Sequence, residues 1–174
     1  MQEHIQAATA QRQHRLAIEQ LGPEDHDRIA AHFLTLSDDD RQLRFRCAAD
    51  ADWIGRYVAQ IDFARQTLLA LVAPDGSVAG LLQICRFRTV GGRCAELAFS
   101  VGPAYRGRGL GHRLMALALA HAQTVGIGRL ATEVAPANGP MRAVLEAAGM
   151  EFTREDDDLI GTLAVAAQPV RLAA

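Results

Sequence analysis

Three glycines at alternate positions, Gly107, Gly109 and Gly111, stand where the chain changes period. Before them, extended segments alternate with turns. Thr67–Ala73 is a strand-like apolar run, Pro74-Asp75-Gly76 a turn, Val78–Phe87 a second strand, Gly91-Gly92 a second turn and Cys94–Val101 a third strand. Short turns make consecutive strands antiparallel neighbours. After the glycines, Leu110–Val125 places Leu110, Leu114, Leu117, Ala118 and His121 on one helical face. A meander that runs through a glycine turn into a helix gathers backbone N–H groups and a helix N-terminus at one point. Such a point is an anion site.

The rest of the chain fits around this core as one mixed α/β domain. Arg15–Leu21 reads as a first strand, and Pro23 opens a helix in PEDHDRIAAHFLTL with acidic residues in its first turn, where they complement the helix dipole. Ser37 is an N-cap for DDDRQLRF, and a third helical segment lies around Asp52–Ile61. Beyond the long helix come a strand at Arg129–Ala135, a short helix at Asn138–Ala148 ended by Gly149, and a last strand pair at Phe152–Arg154 and Leu159–Val165. No internal repeat or linker interrupts this order. The expected domain is 15–166, with 1–14 a flexible N-terminus and 167–174 a tail.

Composition narrows the class. A chain of 174 residues, half of them apolar, buries a real core. Its net charge of −2 gives no basis for a nucleic-acid or membrane-surface binder. Every basic residue is arginine; there is no lysine. Cys47, Cys85 and Cys94 are odd in number and match neither a disulfide framework nor zinc-ligand spacing, so no metal is expected. With no signal-peptide core at the N-terminus and no apolar run near ~20 residues, the expectation is a soluble cytoplasmic protein.

The missing lysine excludes a nucleotide P-loop of the form GxxxxGK[ST]. A dinucleotide fingerprint requires a third glycine where His112 stands and an opening βαβ unit, which a meander is not. A plain glycine turn without a ligand stays open on the loop alone. Arg106-Gly107-Arg108-Gly109-Leu110-Gly111 matches [Q/R]xxGx[G/A] and resembles the acyl-CoA pyrophosphate loop of the GNAT acetyltransferases. "AELAFSV" (Ala95–Val101) resembles that family's central strand, and "NGPMRAVLEAAGM" (Asn138–Met150) its later asparagine-helix-glycine block. "LGPEDHDRIAAHFLTLSDDDRQLRF" and "YVAQID" are similar to the start of the acetyltransferase domain of bacterial protein lysine acetyltransferases. In those proteins a second module is often fused; none is expected within these 174 residues. The resemblance spans about Arg15 to Val165. It implies a single GNAT-type domain: a bent, mostly antiparallel mixed sheet, splayed at the cofactor site and flanked by helices.

The resemblance also implies a site with acetyl-CoA as co-substrate. Backbone groups of Phe99, Ser100 and Val101 would take the pantetheine, with Pro103 ending the ladder. Backbone amides from Arg108 to Gly111, through Gly109 and Leu110, would take the pyrophosphate, aided by the Gly107 turn. Arg106 is the better-placed side-chain charge, with Arg108 the other candidate. Asn138 would face the cofactor, cap its helix, or do both.

The chemistry asks for a base. An amine of lysine type is mostly protonated at pH 7, and deprotonation costs roughly 4–5 kcal/mol, whereas a thiol of pKa near ~8.5 leaves readily. Glu96 is the candidate: a carboxylate in an apolar strand, sharing one face with Ala98 and Ser100 opposite Ala95, Leu97, Phe99 and Val101. A solvent-facing strand glutamate is the plainer reading. Many family members carry a tyrosine as general acid on the later helix; here that position is Leu145. A backbone N–H near Val101 would meet the oxyanion.

Other residues carry plainer expectations. His112 is an exposed first-turn histidine, or touches a phosphate. His121 is a core-edge histidine with a hydrogen-bond partner. Tyr105 and Trp53 are packing residues. The acidic runs 38–40 and 155–158 are solvated turns, the second near where acceptors approach. The reading is an acetyltransferase acting on a primary amine, protein lysine foremost, by direct attack in a ternary complex. The alternatives are a non-catalytic acyl-CoA-binding sensor and a small-molecule amine acetyltransferase. Oligomeric state is not legible.

Overall fold

A computed structural model describes residues 16–166; residues 1–14, expected as a flexible N-terminus, residues 167–174, expected as a tail, and Arg15, expected to start the first strand, lie outside the described residues. Strand β1 (Ala17–Leu21) leads through a short 3-10 turn at Pro23–Asp25 into α1 (His26–Leu34). Helix α2 (Asp38–Phe45) begins on Ser37, whose hydroxyl accepts from the Asp40 amide while the Asp40 carboxylate accepts from the Ser37 amide, a capping box. Helix α3 (Ala51–Ala59) is capped by Asp50. Then follow β2 (Gln66–Val72), β3 (Val78–Thr89), β4 (Gly92–Val101), α4 (Leu110–Val125), β5 (Arg129–Val134), α5 (Gly139–Ala147), β6 (Glu151–Glu155) and β7 (Asp158–Ala164).

The strands form one seven-stranded sheet in the order β1-β2-β3-β4-β5-β7-β6. Every neighbouring pair is antiparallel except β4 and β5. Two apolar layers cover it. On one face Leu82, Ile84, Leu97 and Phe99 pack against Leu114, Met115 and Ala118 of α4. On the other, Leu68, Ala70 and Leu81 pack against Ile29 and Phe33 of α1 and Ile54 and Val58 of α3.

The parallel pair is short. Only Cys94, Ala95 and Glu96 find partners on β5, in Arg129, Leu130 and Ala131. From Leu97 to Val101 the strand remains paired to β3 but parts from β5. The sheet therefore opens beside the second half of β4, at the end where the glycine loop leaves it.

Candidate active site

The open edge of β4 is specified by backbone alternation. Gly102 N–H donates to Ala79 O on β3, and the Leu97 carbonyl accepts Thr132 Oγ1 from β5 at 2.9 Å. With a period of two, Ser100 turns its backbone groups to β3, and Phe99 and Val101 turn theirs to the opening. Phe99 and Val101 thus present a sheet edge that an amide-bearing chain such as pantetheine can complete. Ser100 is turned away from that edge. What it offers is its hydroxyl, which donates to His32 Nε2 at 2.8 Å.

The three loop glycines do three different jobs. Gly107 (φ +70°) and Gly109 (φ +73°) lie in the left-handed region, and a Cβ on either would meet nothing within 4 Å, so both face open space. Gly111 has no such φ; a Cβ there would stand 3.0 Å from Val144 Cγ2, so this glycine lets α4 approach α5. Arg113 N–H makes the first bond of α4, to Gly109 O. The amides of Leu110, Gly111 and His112 precede it and remain available, at the positive end of the helix dipole.

The arginines flanking the loop diverge. Arg106 turns back: its Nη2 lies 2.7 Å from Asp40 Oδ2 and its Nε donates to the Val101 carbonyl at 3.3 Å. Arg108 lies over the Tyr105 ring, 5.8 Å from its centroid, and has no carboxylate partner among the described residues. With Arg113, Tyr105, Leu16, Pro74 and Asp75 it lines a cavity of about 450 Å³ beside the loop. Of the two arginines flanking the loop, Arg108 is therefore the uncommitted one. Asn138 caps α5, its Oδ1 accepting Met141 N–H at 3.3 Å, which leaves its amide NH₂ as a donor.

On the opposite face of β4, Glu96 is exposed, with Cys85 of β3 and Ala131 of β5 as cross-strand neighbours. Burial and the negative charge of Glu96 raise the Cys85 thiol, so it stays protonated at neutral pH. Ala98 lies opposite Gln83, whose Oε1 accepts from Arg44 and from Tyr57 Oη. Glu133, two residues beyond Ala131, shares this face. Its carboxyl is raised by burial, by a hydrogen bond with Asp158 and by the charges of Asp158 and Glu96. Arg46, at the C-terminal end of α2 with φ +61°, lies on both Asp158 and Glu133.

His32 went unread in the sequence. It is 2% exposed; its Nδ1 lies 2.8 Å from the Val78 carbonyl and so carries the proton, leaving Nε2 to accept from Ser100. A polar residue on the apolar face of α1, beside Ile29 and Phe33, was the available signal. Glu133 gave the same kind of signal as Glu96, a carboxylate in an apolar strand. Arg44, Arg46 and Tyr57 gave none, because only folding brings their helices over β4.

The remaining residues divide. His112 is exposed. His121 lacks the hydrogen-bond partner expected of it: Nε2 is buried with none among the described residues. Leu145 is fully buried in the core and holds no proton. Tyr105 Oη lies 3.3 Å from Ser77 Oγ, and Trp53 stacks on Tyr57 at 5.2 Å. Among the described residues no group of three His, Cys, Asp or Glu is arranged to hold a metal ion, and no helix is long and apolar enough to cross a membrane.

A parallel strand pair that opens beside a glycine loop leading into a helix is the arrangement of the acetyltransferase fold of the GNAT class. A family model of the acetyltransferase (GNAT) family matches residues 23–150, and the chain belongs to that family. It is 32% identical over 108 residues to acetyltransferase Pat of Mycolicibacterium smegmatis; the match covers 61% of this chain and 32% of that one, so the chain spans about a third of the curated relative. The GNAT domain of S. lividans PAT superposes with a TM-score of 0.73 at 27% identity, covering 86% of this chain and 90% of that one. A spermidine N-acetyltransferase from Vibrio cholerae, in complex with CoA and spermine, shares the fold at a TM-score of 0.70 and 16% identity, covering 87% and 96%.

Proposed function

We propose that this domain transfers an acetyl group from acetyl-CoA to a primary amine, with protein lysine the leading acceptor, by direct attack in a ternary complex. The observation that carries the reading is the division of β4. Its edge from Phe99 to Val101 is open for the donor, and its exposed Glu96 faces the other side, where an acceptor approaches. The pantetheine amides would pair with Phe99 and Val101. The pyrophosphate would rest on the amides of Leu110 and Gly111, beside Arg108.

In the reaction the amine nitrogen attacks the thioester carbon, the C–S bond breaks, and the thiolate leaves. Glu96 takes the first proton, from the incoming ammonium, directly or through one water, and the second, lost as the amide forms, passes to the thiolate or to water. The amide N–H of Val101 or Phe99 meets the oxyanion. With Leu145 buried, no side chain at that position protonates the thiolate, and a leaving group of pKa near ~8.5 needs little help. Glu133 and Asp158 give the acceptor face a negative cast that suits a cationic amine. The resemblance of the opening blocks and of NGPMRAVLEAAG to bacterial protein lysine acetyltransferases supports a protein lysine as acceptor; the polyamine enzyme supports the fold alone.

Two other readings stay in view: a small-amine acetyltransferase and a non-catalytic acyl-CoA-binding module. An acetyl-CoA turnover screen of lysine-containing proteins against polyamines and amino acids separates them. Because the chain contains no lysine, every acetyl-lysine detected comes from the added protein. Acetyl-lysine formation supports the proposal. Turnover on small amines alone, or binding without turnover, contradicts it.

A further inference from the structure

The first arginine of the donor loop is tied to the acceptor-side helix. Arg106 Nη2 contacts Asp40 Oδ2 at 2.7 Å, and its Nε caps the Val101 carbonyl on the open edge. The same Asp40 oxygen accepts Ser37 Oγ–H at 2.5 Å and the Ser37 amide at 3.3 Å. One oxygen therefore both caps α2 and holds the loop. Helix α2 buries no residue. Its polar ties reach the loop and the sheet, Asp40 to Arg106 at its start, Arg44 to Gln83 of β3 along its length, and Arg46 to Glu133 of β5 and Asp158 of β7 at its end, while Phe45 packs against Phe33, Trp53 and Tyr57. Arg41 adds a bond to the Leu36 carbonyl within the entry turn and a contact with Asp38.

The Arg106 side chain is 46% exposed, so an anion arriving at Gly107–Gly111 can reach it. A pyrophosphate carries more charge than one carboxylate and accepts a guanidinium through two parallel hydrogen bonds. We propose that Arg106 is a shared cation: Asp40 holds it while the donor is absent, and the donor's pyrophosphate takes it on binding, which unties the N-terminal end of α2 from the loop. This rests on the loop being the acyl-CoA site. Helix α2 stays tethered at Arg44 and Arg46, so the movement is a loosening at one end. The acceptor face along β4 then becomes more accessible once the donor is loaded.

Hydrogen exchange of residues 37–45, measured with and without acetyl-CoA alongside calorimetric binding of acetyl-CoA, tests this. In the unaltered protein, donor binding should speed exchange in that segment. Asp40→Asn should bind acetyl-CoA about twofold to fivefold tighter, the range set by a part-exposed ion pair. Arg106→Gln, which leaves the α2 cap intact, should exchange fast in 37–45 without donor and show no further change with it. Acetyl-CoA that binds the unaltered protein while leaving 37–45 unchanged or slower overturns the shared-cation proposal alone, as does weaker binding by Asp40→Asn. Failure of acetyl-CoA to bind at all removes the donor-loop reading and this proposal with it.

Discussion

Thr132 Oγ1 donates to the Leu97 carbonyl at 2.9 Å, one residue past the last paired position of β4 and β5. Both residues are buried, at 4% and 2% exposure. The hydroxyl does what a continued strand would otherwise do: it satisfies a carbonyl freed by the opening of the sheet. Thr132→Val keeps the shape and removes the donor. An unsatisfied buried acceptor costs about 1–3 kcal/mol, so the melting temperature should fall by several degrees, while Thr132→Ser should stay near the parent. Equal melting temperatures for the valine and serine variants would show that the bond does not hold the opening.

The His32–Ser100 pair predicts a pH dependence of stability. Burial, with the charge of Arg44 in the same direction, lowers His32 to about 4 from an ordinary 6.5, against the opposing bond to Val78. The folded state therefore keeps the ring neutral where the unfolded chain protonates it. Its contribution is complete above about pH 6.5 and is lost as pH falls toward 4, by roughly 3 kcal/mol in total. Urea midpoints of the parent and His32→Gln at pH 7.5 and 4.5 check the sign. The parent should lose more stability on acidification than the variant, and parallel losses would contradict the assignment.

The glycines can be separated by substitution. Gly109→Ala should cost about 1–2 kcal/mol through its left-handed backbone, and should also weaken acetyl-CoA binding because the amides that follow shift. Gly111→Ala should destabilise through contact with Val144. The added substitution Val144→Ala should recover part of that loss, a coupling that a double-mutant cycle measures. Additive effects at 111 and 144 would refute the close-approach reading.

What the sequence made legible was mostly local. Ser37 and Gly149 end elements where capping chemistry says they should, and the change from period two to helical period located the loop and α4. β3 runs to Thr89 and β4 starts at Gly92, each two residues beyond expectation, because mutual pairing carries the strands to the hairpin tip. Side-chain direction across the fold was not legible. Arg106 was the expected phosphate ligand by its motif position, yet its path depends on Asp40, which only packing brings near. His32 and Ser100 lie 68 residues apart in sequence, so neither alone announces the pair. The point where β4 and β5 part is likewise a property of two strands together.

The most direct test of the account is Glu96→Gln, measured for acetyl-CoA affinity and for turnover on a lysine-containing protein across pH 6.5–9.5. A carboxylate on the face away from the donor edge should leave acetyl-CoA affinity within about twofold, while turnover at neutral pH falls at least ~10-fold, the lower end for losing a general base. The deficit should shrink at high pH, where the amine is already deprotonated. Turnover equal to the parent's at neutral pH would contradict the assignment of Glu96 as the base.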